Sequence, residues 1–456
     1  MFDNEEKELM ELSERITNSP TSDSIDEYIK RGISLGQVKK KRSKIRLFSN
    51  IAAVAIFAIL ITSIRVSPVL ATYASKIPGL QYLVNLVSYD KGLKNAVDNN
   101  FVQHINTSQE HEGLIFTIKD IIIDKSKAIV FYSIENKTNH KFVDIYEMNL
   151  KDDKGKQVIF CSSIGGFINQ DISKEKVLVG KADFNFIDDE TIIPDILSIE
   201  VKLQDEATYA SIPREKINVL TSSWKFNISV DKKKFESMKK IYTLNQNIEI
   251  EGQKILFKTV TITPTQIAAD IEYDKSNSKR ILNFEDIEII NEKGETWAHG
   301  MTSGGQGGNH ETLFFQSNYF TNPKQLYIKG SSVKALDKDK LKVMVNVDKK
   351  VLLKAPDDKL NLKSVTNVEG KISLEFSLLT DELADKGYAY FVFQTPFEDN
   401  TGKILNYQTT MAARLEDNKH VIQYNITSDA KFTNPIYLTI QDYPSRIKGD
   451  FKVKIK

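Results

Sequence analysis

Residues 47–64 pass without a single charge, and Ile51-Ala52-Ala53-Val54-Ala55-Ile56-Phe57-Ala58-Ile59-Leu60-Ile61 inside them is wholly apolar. A bilayer core takes about 20 such residues as a helix. Arg65 can snorkel to the interface and residues 66–71 prolong the mild hydrophobicity, so a single spanning helix over 47–66 is predicted. Six of the eight residues 39–46 are Lys or Arg, whereas only Arg65 and Lys76 follow closely on the far side. The positive-inside rule places the N-terminus in the cytoplasm and the C-terminal bulk outside. Val69-Leu70-Ala71 ends in a small residue, as a signal-peptidase site does. Signal peptides run to about 15–30 residues, and here 46 residues precede the apolar run. An uncleaved anchor is expected, with release after Ala71 as the alternative.

At 456 residues the chain exceeds one ordinary core, and 41% apolar against 27% charged residues describes a folded chain. A net charge of +1 supplies no global field for nucleic acid, so direct nucleic-acid binding is disfavoured. The one cysteine, Cys161, allows neither an intrachain disulfide nor a multi-cysteine metal cluster.

Residues 1–29 carry nine acidic side chains against Lys7 and Arg15, and residues 30–46 carry only basic ones. The basic half suits apposition to anionic lipid. In the acidic half, Leu9, Leu12 and Ile16, then Ile25, Tyr28, Ile29 and Ile33, recur at helical spacing, and Ser24 with Glu27 forms a capping box. Two short helices cannot bury a self-sufficient core. Two readings remain open: the helices dock on a basic cytoplasmic protein through those seven residues, or the segment is a solvated tail whose charge balances the lysines.

Beyond the membrane, Pro78 opens a stretch in which Leu80, Leu83, Val84 and Val87 line one helical face, until Lys91-Gly92 and Asn99-Asn100 break the pattern. From Phe101 the period changes to two, and one plan recurs three times. An acidic residue and glycine (Glu112-Gly113, Glu251-Gly252, Glu369-Gly370) precede a strand, clearest in Ile372, Leu374, Phe376 and Leu378. A second strand is seen in Ile267, Ala269, Ile271 and Tyr273. Hairpin turns follow at Asp153-Lys154-Gly155, Glu292-Lys293-Gly294 and Asn400-Thr401-Gly402, the first two lying 42 residues beyond the opening glycine. Next come Pro194/Leu197/Ile199, Pro323/Leu326/Ile328 and Pro435/Leu438/Ile440, with proline where its missing N–H costs least. Each unit closes on an alternating strand: Trp224, Phe226, Ile228, Val230; Leu341, Val343, Val345, Val347; and Phe451, Val453, Ile455. Such spacing describes a mainly β chain of three tandem immunoglobulin-like β-sandwiches. The predicted organisation is a head (1–46), a transmembrane helix (47–66), a juxtamembrane amphipathic helix (67–100) and sandwiches over 101–234, 235–350 and 351–456.

No catalytic arrangement is visible. Six histidines (104, 111, 140, 299, 310, 420) form no H-E-x-x-H and join no nucleophile elbow. Ser303-Gly304-Gly305-Gln306-Gly307-Gly308-Asn309-His310 lacks the Gly-Lys-Ser/Thr ending of a phosphate loop and occupies the place of Ser162-Ser163-Ile164-Gly165-Gly166, so an inter-strand loop is expected. Asp188, Asp189 and Glu190 lack the spacing of a calcium loop. Trp224 sits at a core position, and Trp297 is the other candidate for a carbohydrate platform. The chain is read as a non-enzyme with no cofactor and no metal.

Asp26-Glu27-Tyr28-Ile29-Lys30-Arg31-Gly32-Ile33, one membrane helix, Tyr73-Ala74-Ser75-Lys76-Ile77-Pro78-Gly79-Leu80-Gln81-Tyr82-Leu83-Val84 and Tyr89-Asp90-Lys91-Gly92-Leu93 resemble, in that order, a Gram-positive family of unknown function. Its members look like membrane-bound anti-sigma factors with immunoglobulin-like outer domains. The resemblance implies sequestration of an extracytoplasmic-function sigma factor by Leu9, Leu12, Ile16, Ile25, Tyr28, Ile29 and Ile33, and sensing of envelope signals outside. The head departs from the best-known anti-sigma class in lacking a His/Cys zinc motif. The rival expectation is a membrane-anchored binding or structural protein holding an envelope ligand or protein.

Overall fold

The computed structural model describes residues 81–456 apart from 159, 166–171, 173–176, 187–192, 206–217, 305–307, 369–370, 406–407, 417–418 and 428–431. The head, the apolar segment and the seven candidate contact residues from Leu9 to Ile33 lie outside the described residues, as do Asp188, Asp189 and Glu190. Among the described residues no helix is long and apolar enough to cross a membrane.

Among the described residues two short helices come first, α1 (Gln81–Val87) and α2 (Lys91–Asp98). Leu83 and Val87 are buried as the helical spacing predicts. Lys91-Gly92 does not end the helical stretch, however. The break falls at residues 88–90, and Asp90 restarts the helix by accepting a hydrogen bond from the Leu93 N–H at 3.0 Å.

The remainder is mainly β and antiparallel. The first body comprises β1 (Gln103–His111), β2 (Leu114–Ile123), β3 (Lys127–Asn136), β4 (Asp144–Lys151), β5 (Phe160–Gly165), β6 (Val177–Phe186), β7 (Ile196–Gln204) and β8 (Val219–Ser229). Its sheets run β1-β2-β3-β6-β5 and β4-β7-β8. Phe116 of the first sheet meets Phe226 of the second at 5.9 Å, and Trp224 is fully buried beside them, so the two sheets share one core.

The second body begins with β9 (Lys240–Ile250), β10 (Gln253–Ile262), β11 (Gln266–Tyr273), β12 (Lys279–Phe284) and β13 (Glu288–Asn291). It continues with β14 (Thr296–Gly304), β15 (His310–Gln316) and β16 (Leu326–Asp337). The start of β14 pairs with β13 and its remainder with β15, so one strand serves both layers. The third body contains β17 (Lys342–Asn346), β18 (Val351–Lys354), β19 (Leu360–Val368), β20 (Lys371–Leu379) and β21 (Phe393–Glu398). Its later strands are β22 (Ile404–Leu405), β23 (Gln408–Glu416), β24 (Lys419–Thr427) and β25 (Ile436–Ile440), and the chain ends on β26 (Arg446–Lys454).

Repetition is visible atom by atom. The acidic residue and glycine form the hairpin turn between two strands rather than the opening of a unit: Glu112 and Gly113 have φ of 51° and 74°, Glu251 and Gly252 of 45° and 77°. Both left-handed positions are what a two-residue turn matching strand twist requires, and glycine supplies the second without strain. At the later turn, Asp152, Asn291 and Asp399 each accept through Oδ1 from the N–H groups two and four residues on. Leu197/Ile199, Leu326/Ile328 and Leu438/Ile440 are all buried.

One expectation is overturned. Strand β17, with Val343 and Val345, read as the close of the second unit, pairs with β25 and lies in the third core. The second sandwich is closed instead by β26: Phe451, Val453 and Ile455 pack into its core, and β26 pairs with β16. Glu112 accepts from the Ser222 N–H of β8, and Glu251 makes the equivalent contact with the Lys448 N–H of β26. The third body is therefore inserted into the second, entering after Asp337 and leaving at Arg446, and the expected boundary near Lys350 does not separate the two cores.

Candidate functional site: the helix-to-sandwich junction

Helix α2 is seated on the second sandwich by the segment Tyr89-Asp90-Lys91-Gly92-Leu93. A Cβ on Gly92 would stand 2.4 Å from the backbone nitrogen of Ser317, so only glycine permits this approach. Leu93 and Ala96 are buried, Lys91 Nζ donates to the Thr296 carbonyl at 3.1 Å, and Gln316 Nε2 donates to the Tyr89 carbonyl at 3.0 Å. Helix α1 reaches the first sandwich: Lys119 Nζ lies 5.0 Å over the Tyr82 ring. Below the helices, Phe101 meets Phe320 at 5.9 Å, and Lys234 Nζ donates to the Val102 carbonyl at 2.8 Å.

From Ser317 the contacts run into the joint between the sandwiches. Ser317 Oγ donates to the Thr263 carbonyl at 2.5 Å, and Thr263 Oγ1 contacts Ser126 Oγ at 2.8 Å. Residues 124–127 turn β2 into β3, residues 263–266 turn β10 into β11, and each turn is closed by the same backbone bond. Repeat-equivalent hairpin tips thus meet face to face. Asp124, 1% exposed, joins them. Its Oδ1 accepts from the Ser126 N–H, Ser126 Oγ and the Lys127 N–H; its Oδ2 accepts from the Thr265 N–H at 2.9 Å and Thr265 Oγ1 at 2.8 Å. Five donors compensate the desolvation of one buried carboxylate, which costs several kcal/mol when left uncompensated, roughly.

A second buried carboxylate lies beside Lys119. Asp120 pairs with His104, Nδ1 to Oδ1 at 2.5 Å, and burial pushes its pKa up to about 6.

Residues 40–136 match a domain of unknown function, DUF4179. Residues 239–351 match a family of unknown function, DUF5643. A search of the curated proteins finds no match. Among solved structures the chain is similar to "The crystal structure of the conserved domain protein from Bacillus anthracis", at 18% identity and a TM-score of 0.35, over 56% of this chain and 84% of that one. The two matched spans hold opposite halves of the junction, Gly92 and Asp124 in the first, Thr263, Thr265 and Ser317 in the second.

Sequence reasoning singled out the Tyr89-to-Leu93 segment only as a resemblance. Asp124 escaped it, because Asp-Lys-Ser between two strands reads as any solvated turn. Trp224 and Trp297, at 0% and 2% exposure, have no open face for a sugar. Among the described residues no group of three or more His, Cys, Asp or Glu could hold a metal ion.

Proposed function

We propose that the chain is a single-pass membrane-bound anti-sigma factor, its cytoplasmic head holding an extracytoplasmic-function sigma factor through Leu9, Leu12, Ile16, Ile25, Tyr28, Ile29 and Ile33. The observation that carries this reading is the junction. Helices α1 and α2 follow the apolar segment in the chain, and they rest where two outer sandwiches meet, so a change in that joint acts on the segment leading to the membrane. The function works by binding, and the acidic head suits a basic sigma-factor surface.

The test is recovery of the tagged full chain from its own host in detergent, with bound proteins identified by mass spectrometry. A sigma factor should accompany the unaltered chain and be lost from the Leu9→Ala, Leu12→Ala, Ile25→Ala, Ile29→Ala variant. Equal recovery by both, or none by either, overturns the reading. The rival, a membrane-anchored envelope-binding protein, draws on the open cleft of about 500 Å³ in the third body.

A further inference from the structure

The third body departs from the repeat in its β19–β20 sheet. In the first two sandwiches the third strand, β3 or β11, lies in mid-sheet between the second strand and β6 or β15. In the third body β20 pairs directly with β24, and residues 380–392 leave the sheet as a loop. Beneath that loop is a cleft of about 500 Å³, within the range of small-molecule sites.

Its lining carries both signs of charge, with Asp381, Glu382 and Asp385 against Lys386 and Arg414. Asp385 is already held by Arg446 and Tyr390, and Arg414 by Glu375. Asp381 Oδ1 accepts from the N–H groups of Leu383 and Ala384, both at 2.9 Å, which hold its carboxyl below the usual range. Its Oδ2 has no hydrogen-bond partner among the described residues, nor has the Lys386 ammonium. His420 is only 6% exposed, and its ring also lacks a hydrogen-bond partner among them; it touches the Tyr390 ring edge-on. Burial lowers its pKa, leaving a neutral imidazole able to donate from one nitrogen and accept at the other. Leu383, 89% exposed, and Tyr388 add apolar surface at the rim.

We propose that this cleft binds a zwitterionic peptide-like ligand, its ammonium on Asp381, its carboxylate on Lys386 and a polar group of its body on His420. A simple anion would meet Asp381 and Glu382, and a simple cation would meet Lys386 and Arg414; a molecule bearing both charges satisfies each pole. The volume admits about two or three residues. The same loop fastens the third body to the second: Tyr388 donates to Asp442 at 2.9 Å and lies 3.4 Å from Lys334 Nζ of β16, and Asp385 holds Arg446 of β26. A ligand in the cleft therefore bears on that contact. The inference concerns the outer region and does not depend on what the head binds.

The test is isothermal titration of the full chain in nanodiscs with alanyl-alanine, N-acetyl-alanyl-alanine and alanyl-alanine amide. The uncapped dipeptide should bind saturably and each cap should weaken binding roughly tenfold or more, the value of one charge-assisted hydrogen bond. Asp381→Asn should abolish the penalty of the acetyl cap alone, and Lys386→Met that of the amide alone; both side chains are at the surface, so the fold is spared. No saturable binding by ~10 mM dipeptide, which is weaker than a single ion pair warrants, overturns the proposal, as does equal binding of all three compounds.

Discussion

Asp124 shows how one side chain can join two domains. Its carboxylate holds its own turn through Oδ1 and the neighbouring sandwich through Oδ2. Replacement by alanine strands the buried N–H and O–H of Thr265, at a cost of about 3 kcal/mol. In Asp124→Ala the Thr265 amide should exchange with solvent roughly a hundredfold faster, while amides in the middle of β20 keep their protection. Unchanged exchange at Thr265 would mean that the bond does not constrain the joint. Asp120 gives the pH counterpart. Its carboxyl is raised from 3.8 to about 6 by burial, so between those values the native chain holds a proton that the unfolded chain releases. Stability from this group accordingly falls as pH rises from about 4 to about 6 and is level above that window. Asp120→Asn should remove the decline, as read from urea midpoints of the β-sheet region at the two ends of the window. Midpoints that stay level across the window in the unaltered chain would overturn this assignment.

At the scale of elements, the closing strands decide which segments stand or fall together. Ile447, Phe451, Val453 and Ile455 of the C-terminal stretch all enter the second core. Burying each contributes about 1.5–3 kcal/mol, a sum comparable with the whole stability of a domain. Truncation after Ser445 should therefore strip protection from β10 and β11, 170 residues or more away in the chain, while β20 and β24 retain theirs in hydrogen exchange. Loss confined to β20 and β24 would contradict the insertion. Phe451→Ala should reproduce the effect in milder form, at about 3–5 kcal/mol.

For the whole molecule, the helix pair, the joint and the inserted body form a series of contacts from α1 to the cleft of the third body. Gly92→Ala drives a methyl group into the Ser317 backbone, an overpacking of about 1–3 kcal/mol, and should unseat α2. Under the proposed function it should alter sigma-dependent transcription in cells while the detergent-solubilised chain recovers as much sigma factor as before; unaltered transcription would uncouple the junction from the head. Alternating strands such as β11 and β20, the later turns near Gly155 and Gly294 and the recurrence of one plan were legible in the sequence, because alternation, turn residues and proline at strand starts are local consequences of backbone geometry; the strands before Glu112 and Glu251, and the hairpins those residues close, were not. The same pattern made Val343, Val345 and Val347 indistinguishable from Phe451, Val453 and Ile455, since period and face say nothing about which core a strand enters. Only the tertiary structure chose. Gly330 leaves the space that the Phe451 ring fills, and Glu251 finds its donor at Lys448, contacts between residues more than a hundred apart in the chain. Asp124 was hidden for the same reason, its partner Thr265 lying 141 residues on. A sequence determines which segments become strands by short-range sterics and periodicity; which strands share a core is decided by side-chain fit at long range.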